Sequence, residues 1–189
     1  MELFRNIRLK VGKAMLSKKV ARIKRKAFYI NQNHIKKIGV VWNASRTEDF
    51  ATLSRFYQKM HDRNVDVSIL GYFPGKSLPD QYTAIRYLTC FKNAELDLFY
   101  RPVSQEANAF IKNRFDVLID INFEKLFPLL YISSLSEAGL KVGLYGSEPE
   151  TSPFDLMMEL RNSVDVGNYL EQVLYYLDMI NSESVKTVV

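Results

Sequence analysis

Cysteine and histidine are scarce in this sequence, and each shortage argues against a class of site. Cys90 is the single cysteine in 189 residues, which excludes a disulfide framework and a cysteine-based zinc site. His34 and His61 are the two histidines, so an imidazole-rich metal site is not expected either. No apolar run approaches the roughly 18 residues of a membrane span, and the basic N-terminus lacks the apolar core of a signal peptide. We therefore expect a cytoplasmic protein.

Positive charge is concentrated at the N-terminus. Residues 1–37 contain 12 of the 26 Lys and Arg residues and one acid, Glu2, whereas the other 152 residues contain 14 basic and 20 acidic side chains. A strongly basic arm thus precedes a mildly acidic body. Six of the nine residues from 18 to 26 are cationic, and like charges at helical neighbour spacing repel each other. Such density does not stabilise a fold, and an anionic partner would relieve it.

The spacing of apolar residues predicts a helix over residues 2–29 of the arm. Six apolar side chains share one side at a spacing of 3.6 residues: Leu3, Phe4, Ile7, Val11, Ala14 and Met15. After Gly12 and Ser17 the apolar stripe moves to another side of the helix. Because the arm contributes much cationic repulsion and little apolar core, we expect it to be dispensable for folding.

From residue 38 onward, apolar strands alternate with amphipathic helices. Strands are predicted near 38–42, 65–73, 85–91, 115–121, 140–145 and 154–160, and the helices between most of them imply parallel βαβ units. The sequence therefore predicts an α/β protein. We expect a three-layer, Rossmann-like domain over residues 38–181 with a mostly parallel sheet of five to six strands, behind an arm over residues 1–37 and before a loose tail over residues 182–189.

Polar side chains follow the first and fourth long predicted strands, in loops where open parallel sheets bind ligands. Ser45 and Glu48 match a helix capping box. The loop over residues 43–47 has no glycine, which excludes a dinucleotide fingerprint or a Walker loop. Glu124 adds a second carboxylate after the fourth long strand, where a divalent cation or a ribose hydroxyl would fit. The candidate ligand-binding residues are Asn43, Ser45, Arg46, Asp120 and Asn122.

No catalytic constellation stands out, and we predict no catalytic residue, no metal site and no cofactor. His34 lies in a polar connector and His61 on a helix, and neither accompanies a signature serine motif. Cys90 lies within a predicted strand without a neighbouring histidine, which favours a packing role over a nucleophile.

The sequence resembles two known families. The run Phe115-Asp-Val-Leu-Ile-Asp-Ile-Asn122, the helix over residues 128–138 and the run Leu140-Lys-Val-Gly-Leu-Tyr-Gly146 resemble an uncharacterised domain-of-unknown-function family of small bacterial α/β proteins with basic N-termini. The likeness covers most of the chain and implies the fold, but no activity. The stretch 115–146 is similar, more loosely, to the acceptor-side Rossmann-like domain of heptosyltransferase-type glycosyltransferases. A chain of 189 residues lacks the second domain that such enzymes need, so this likeness implies a scaffold alone.

These observations favour a non-enzymatic cytoplasmic binding or adaptor protein whose arm contacts a polyanion, with RNA or DNA phosphate as the first candidate. Two alternatives stay open: a small enzyme or ligand-binding domain for a phosphorylated or nucleotide-like molecule at the strand ends, and a peripheral protein on an anionic membrane surface. A protein partner is also compatible with the pattern. The predicted polyanion-binding residues are Lys18, Lys19, Arg22, Lys24, Arg25 and Lys26.

Overall fold

The computed structural model describes residues 2–146, 151–159 and 165–180. Six strands form one sheet, and every pairing in it is parallel. The strands are β1 (Lys37–Asn43), β2 (Asp66–Phe73), β3 (Leu88–Lys92), β4 (Val117–Asp120), β5 (Leu140–Leu144) and β6 (Leu156–Met158). The predicted α/β fold with a parallel sheet is confirmed, including the third strand, which no full crossover helix precedes. The tail predicted over residues 182–189 lies outside the described residues.

The strand order places β1 and β4 side by side at the centre of the sheet. The order is β3-β2-β1-β4-β5-β6. Strands β2 and β3 therefore lie on one side of β1, and β4, β5 and β6 lie on the other. Val41 of β1 pairs with Asp120 of β4. In sheets of this kind, the crevice at the carboxyl ends of the two central strands is the usual place for a ligand.

Helices cover both faces of the sheet, as a parallel sheet requires. The helices are α1 (Glu2–Val20), α2 (Phe50–His61), α3 (Gln105–Lys112), α4 (Phe127–Leu135) and α5 (Val166–Met179). Helices α2 and α5 pack on one face around Trp42 and Ile119, and α3 and α4 pack on the other around Val41 and Leu118. Ser104 caps α3 through the Ala107 N–H, as its sequence position predicts.

Three predicted helix boundaries are wrong, one of them at the end of α4, which is Leu135 and not Ala138. The N-terminal helix ends at Val20 and not near residue 29, and the chain over residues 23–31 has no helical structure. Ser45 does not begin a capping box, because α2 starts at Phe50 after a short 3-10 turn. The Ser45 hydroxyl instead donates to Asn43 Oδ1 over 2.6 Å.

The arm is packed against the body, although part of its surface is left open. Leu16 of α1 lies in a small apolar cluster with Phe127, Tyr131 and Leu135 of α4. Gly12 makes this approach possible, since a methyl group at that position would collide with the Phe99 carbonyl oxygen. None of the described helices is long and apolar enough to cross a bilayer.

Candidate functional site

The predicted ligand-binding residues meet at the carboxyl ends of β1 and β4. Asn43 ends β1 and Asp120 ends β4, and the Asn122 side chain donates both to Asp120 Oδ1 (2.6 Å) and to the Val41 carbonyl (3.3 Å). We name the group the carboxyl-edge cluster. Its members are Asn43, Ser45, Arg46, Asp120, Asn122 and Glu124.

Asp120 is the most buried charged side chain of this cluster, with 5% of its surface exposed. Oδ1 accepts from the Asn122 backbone N–H at 2.9 Å, and Oδ2 accepts from the Ser133 hydroxyl at 2.5 Å. Burial raises the pKa of Asp120 to about 6, against the opposing effect of these hydrogen bonds. Because both carboxylate oxygens have partners inside the protein, Asp120 ties the end of β4 to α4.

Asn43 and Ser45 form a second set of bonds at the end of β1. The Asn43 side chain accepts from the Ser45 N–H at 3.2 Å and donates to Glu124 Oε2 at 3.4 Å. Asn43 is buried, whereas Ser45 and Glu124 are exposed. The exposed rim of the cluster therefore presents a hydroxyl and a carboxylate, which are groups that bind ligand hydroxyls.

Arg46 is compensated by carboxylates of its own segment. Its Nε lies 2.7 Å from Asp49 Oδ2 and its Nη2 lies 3.4 Å from Glu48 Oε1. The bond to Asp49 raises the pKa of Arg46. The guanidinium also lies 5.9 Å from the centre of the Phe123 ring. With two acids on Arg46 and Glu124 nearby, the cluster suits a neutral, hydroxyl-bearing ligand better than a phosphate.

The described residues were also compared with the needs of metal binding and of thiol chemistry. No group of three or more His, Cys, Asp and Glu side chains there is arranged to hold a metal ion. Burial raises the pKa of the Cys90 thiol to about 12, so the thiol stays protonated at neutral pH and is a poor nucleophile.

The six cations predicted to bind a polyanion divide into one that is docked and five that are exposed. The Arg25 guanidinium forms a salt bridge with Asp155 and donates from Nε to the Ala138 carbonyl at 2.6 Å. Its side chain is therefore committed to the body. The exposed cations are Lys18, Lys19, Arg22, Lys24 and Lys26.

Lys19 is exposed but not free, because it reaches a tyrosine of α4. Its Nζ donates to the Tyr131 hydroxyl at 2.8 Å. The structure shows no salt bridge within the described residues for the other four exposed cations of this segment. Exposed cations also lie earlier on α1, at Lys10 and Lys13, which the focus on residues 18–26 missed. The helical spacing of the apolar residues, which is visible in the sequence, already leaves Lys10 and Lys13 exposed.

Lys141 is a buried cation that sequence reasoning missed. Its Nζ donates to the Ser134 carbonyl at 2.9 Å, and its backbone N–H donates to Asp155. Burial, aided by the charge of Arg25, lowers the pKa of Lys141 to about 8, while Asp155 acts in the opposite direction. Asp155 thus joins the arm to β5, and the strand-like pattern of residues 140–145 contains no signal of this.

The comparisons with known proteins support one of the two resemblances. No curated protein and no solved structure matches this chain, and nothing links it to heptosyltransferases. A family model matches residues 8–180, which includes most of the arm as well as the whole sheet. The chain belongs to this family, the family of unknown function DUF6913.

Proposed function

We propose that this protein is a non-enzymatic binding protein whose basic arm contacts a polyanion while the α/β body acts as an adaptor. The observation that carries the proposal is the division of the six cations of residues 18–26, with Arg25 fastening the arm to the body and the other five exposed to solvent. A segment held on a folded body presents its charges in a fixed place. That arrangement lowers the entropic cost of binding relative to a loose tail.

The uncompensated charge is the energetic argument for a polyanion. Lys18, Arg22, Lys24 and Lys26 lie within nine residues and form no salt bridge among the described residues. Their mutual repulsion is a cost to the folded arm, which an anionic surface removes. Each phosphate neutralised on nucleic acid also releases counterions, which adds a favourable, salt-dependent term.

A salt titration tests the proposal on RNA and DNA of unrelated sequences. Four contacts predict that log affinity falls with log salt with a slope of about −3 to −4, given roughly −0.7 to −0.9 per phosphate. Replacing Lys18, Arg22, Lys24 and Lys26 by Gln should remove most of that slope and weaken binding equally for all sequences.

The matched control removes the same charge from the body. The control changes four of the body's exposed cations, Lys76, Arg86, Lys112 and Arg114. Replacing these by Gln should leave the slope close to that of the native protein. Equal losses in the two variants would mean that net charge alone drives binding, and failure to bind any polyanion at low salt would contradict the proposed function.

The convergence of the predicted residues at the carboxyl edge favours a second candidate function, the binding of a small hydroxyl-bearing ligand. Asn43 and Asp120 lie at the switch point of the sheet, and Ser45 and Glu124 form an exposed rim beside them. Nuclear magnetic resonance titration with nucleosides, sugars and sugar phosphates tests this candidate. Shifts confined to the opposite edge of the sheet would contradict it, as would the absence of any shift.

A further inference from the structure

The outer side of α1 carries an unpartnered apolar stripe. Leu3, Phe4, Ile7 and Val11 have 70%, 75%, 50% and 37% of their surfaces exposed. Their spacing of three or four residues places them on one side of the helix. Gly12 and Leu16, which dock on the body, lie on a different side. We call the four exposed residues the outer stripe.

Two exposed lysines of α1 lie at the outer stripe. Lys10 follows Ile7 by three residues and lies beside the stripe, whereas the exposed Arg5 and Lys13 lie toward the docked side of the helix. Glu2 is the one acidic residue of α1. Lys18 continues the spacing of the stripe, seven residues after Val11. An apolar helix side with lysines beside it suits the interface of anionic membranes.

The apolar content separates the possible occupants of this surface. Nucleic acid phosphates would use the cations but would leave four large apolar side chains in water. A second copy of the chain would cover the apolar side but would bring two sets of like charges together, which is unfavourable. An anionic lipid surface satisfies both features, because its acyl boundary takes up the apolar side chains and its headgroups pair with the cations.

We propose that the outer stripe inserts into the headgroup region of an anionic lipid surface, with Lys10, Lys18 and the other exposed cations of the arm on the lipid phosphates. This inference rests on the proposed function, since the same arm supplies the charges, and it names the polyanion. The body is carried to the surface by the contacts of Leu16 and Lys19 with α4 and by the Arg25–Asp155 salt bridge.

Vesicle sedimentation with the full chain tests the proposal. The vesicles are phosphatidylcholine mixed with phosphatidylglycerol, compared with phosphatidylcholine alone. The native protein should sediment with the anionic vesicles and stay in solution with the neutral ones. The double substitution Phe4→Gln and Ile7→Gln removes apolar surface without changing charge, and should lower vesicle affinity about tenfold or more. Both side chains are exposed and Gln is a good helix former, so the fold should not change.

A matched control removes two exposed apolar residues from a different helix. Tyr175 and Met179 of α5 are 62% and 63% exposed. Replacing both by Gln should leave vesicle binding unchanged. A second measurement uses Phe4→Trp, whose fluorescence should shift to shorter wavelength on anionic vesicles. The native Trp42 is fully buried in the body and supplies a constant background.

The remaining outcomes separate this inference from the proposed function. Nucleic acid binding without vesicle binding overturns the lipid assignment and keeps the polyanion-binding arm. If the Phe4→Gln and Ile7→Gln variant still binds vesicles, insertion of the stripe is overturned. Insertion is also overturned if the native chain proves to be a dimer and the variant a monomer, because a second copy then covers the stripe. Binding to neither nucleic acid nor vesicles at low salt overturns both proposals.

Discussion

At the scale of one residue, Asp120 shows that a side chain at an expected ligand position can already be bonded within the protein. Its carboxyl group ends the central strand β4, where a ligand is expected, yet Ser133 and Asn122 already satisfy its oxygens. A carboxyl group in this position strengthens the junction of strand and helix. Its ionised form costs free energy there, because the group is buried. A ligand at this edge would therefore meet the exposed Ser45 and Glu124 before it met Asp120.

The raised pKa of Asp120 predicts a pH-dependent stability. The folded value of about 6 lies above the ordinary 3.8, so the folded state binds more protons than the unfolded state between these values. The contribution of Asp120 to the free energy of unfolding is fully present below about pH 4 and is lost as the pH rises through about 6. The loss is roughly 3 kcal/mol, because one pH unit corresponds to about 1.4 kcal/mol. Urea unfolding at several pH values should show this fall, and Asp120→Asn should flatten it. The exposed Asp80 provides a control, since Asp80→Asn should keep the fall.

At the scale of elements, the arm and the body divide less sharply than composition suggests. Ile30 and Ile35 are buried in the core cluster beneath α2 and α5, whereas Leu16 belongs to a separate cluster on α4. A chain that begins at Phe28 should therefore unfold in a single cooperative transition. A chain that begins at Lys36 loses both isoleucines and should be about 3 to 6 kcal/mol less stable. Thermal melts of the two chains provide the measurement, and equal stability would contradict this role of the isoleucines.

The elements that sequence predicts best are those whose pattern depends on local packing. β4 reads as Val117–Leu118–Ile119 because both of its faces are covered, and α3 begins at Ser104 because a serine cap is a local hydrogen bond. The end of α1 was predicted wrongly because the apolar periodicity continues past Val20. The chain after Val20 is held on the body by the contact of Arg25 with Asp155, which is 130 residues away in sequence. The same reason hides the exposure of Phe4, which periodicity groups with apolar neighbours but tertiary packing leaves in solvent.

At the scale of the whole molecule, the two candidate sites have opposite electrostatics. The carboxyl-edge cluster holds Arg46 between acids, and the arm presents cations that no carboxylate compensates within the described residues. The composition already contained this partition, since the arm and the body differ in the sign of their charge. The sequence contained no sign of the salt bridge that crosses this boundary between the body acid Asp155 and the arm cation Arg25.

That crossing predicts that binding and stability depend on different cations. Asp155 forms a salt bridge with Arg25, and its negative charge also acts on the buried Lys141, so Asp155→Asn removes the nearby carboxylate charge from two cations. Removing one member of a partly buried pair costs about 3 kcal/mol of stability. Asp155→Asn should cost more than Arg25→Gln, because Arg25→Gln leaves Lys141 beside the Asp155 carboxylate.

Polyanion binding should depend on the exposed cations and not on Arg25. Arg25→Gln should leave the salt slope nearly unchanged, because the guanidinium is occupied, whereas Lys24→Gln should reduce the slope and leave the urea midpoint unchanged. If Arg25→Gln lowers the salt slope as much as Lys24→Gln does, Arg25 contacts the polyanion and the arm detaches from Asp155 on binding.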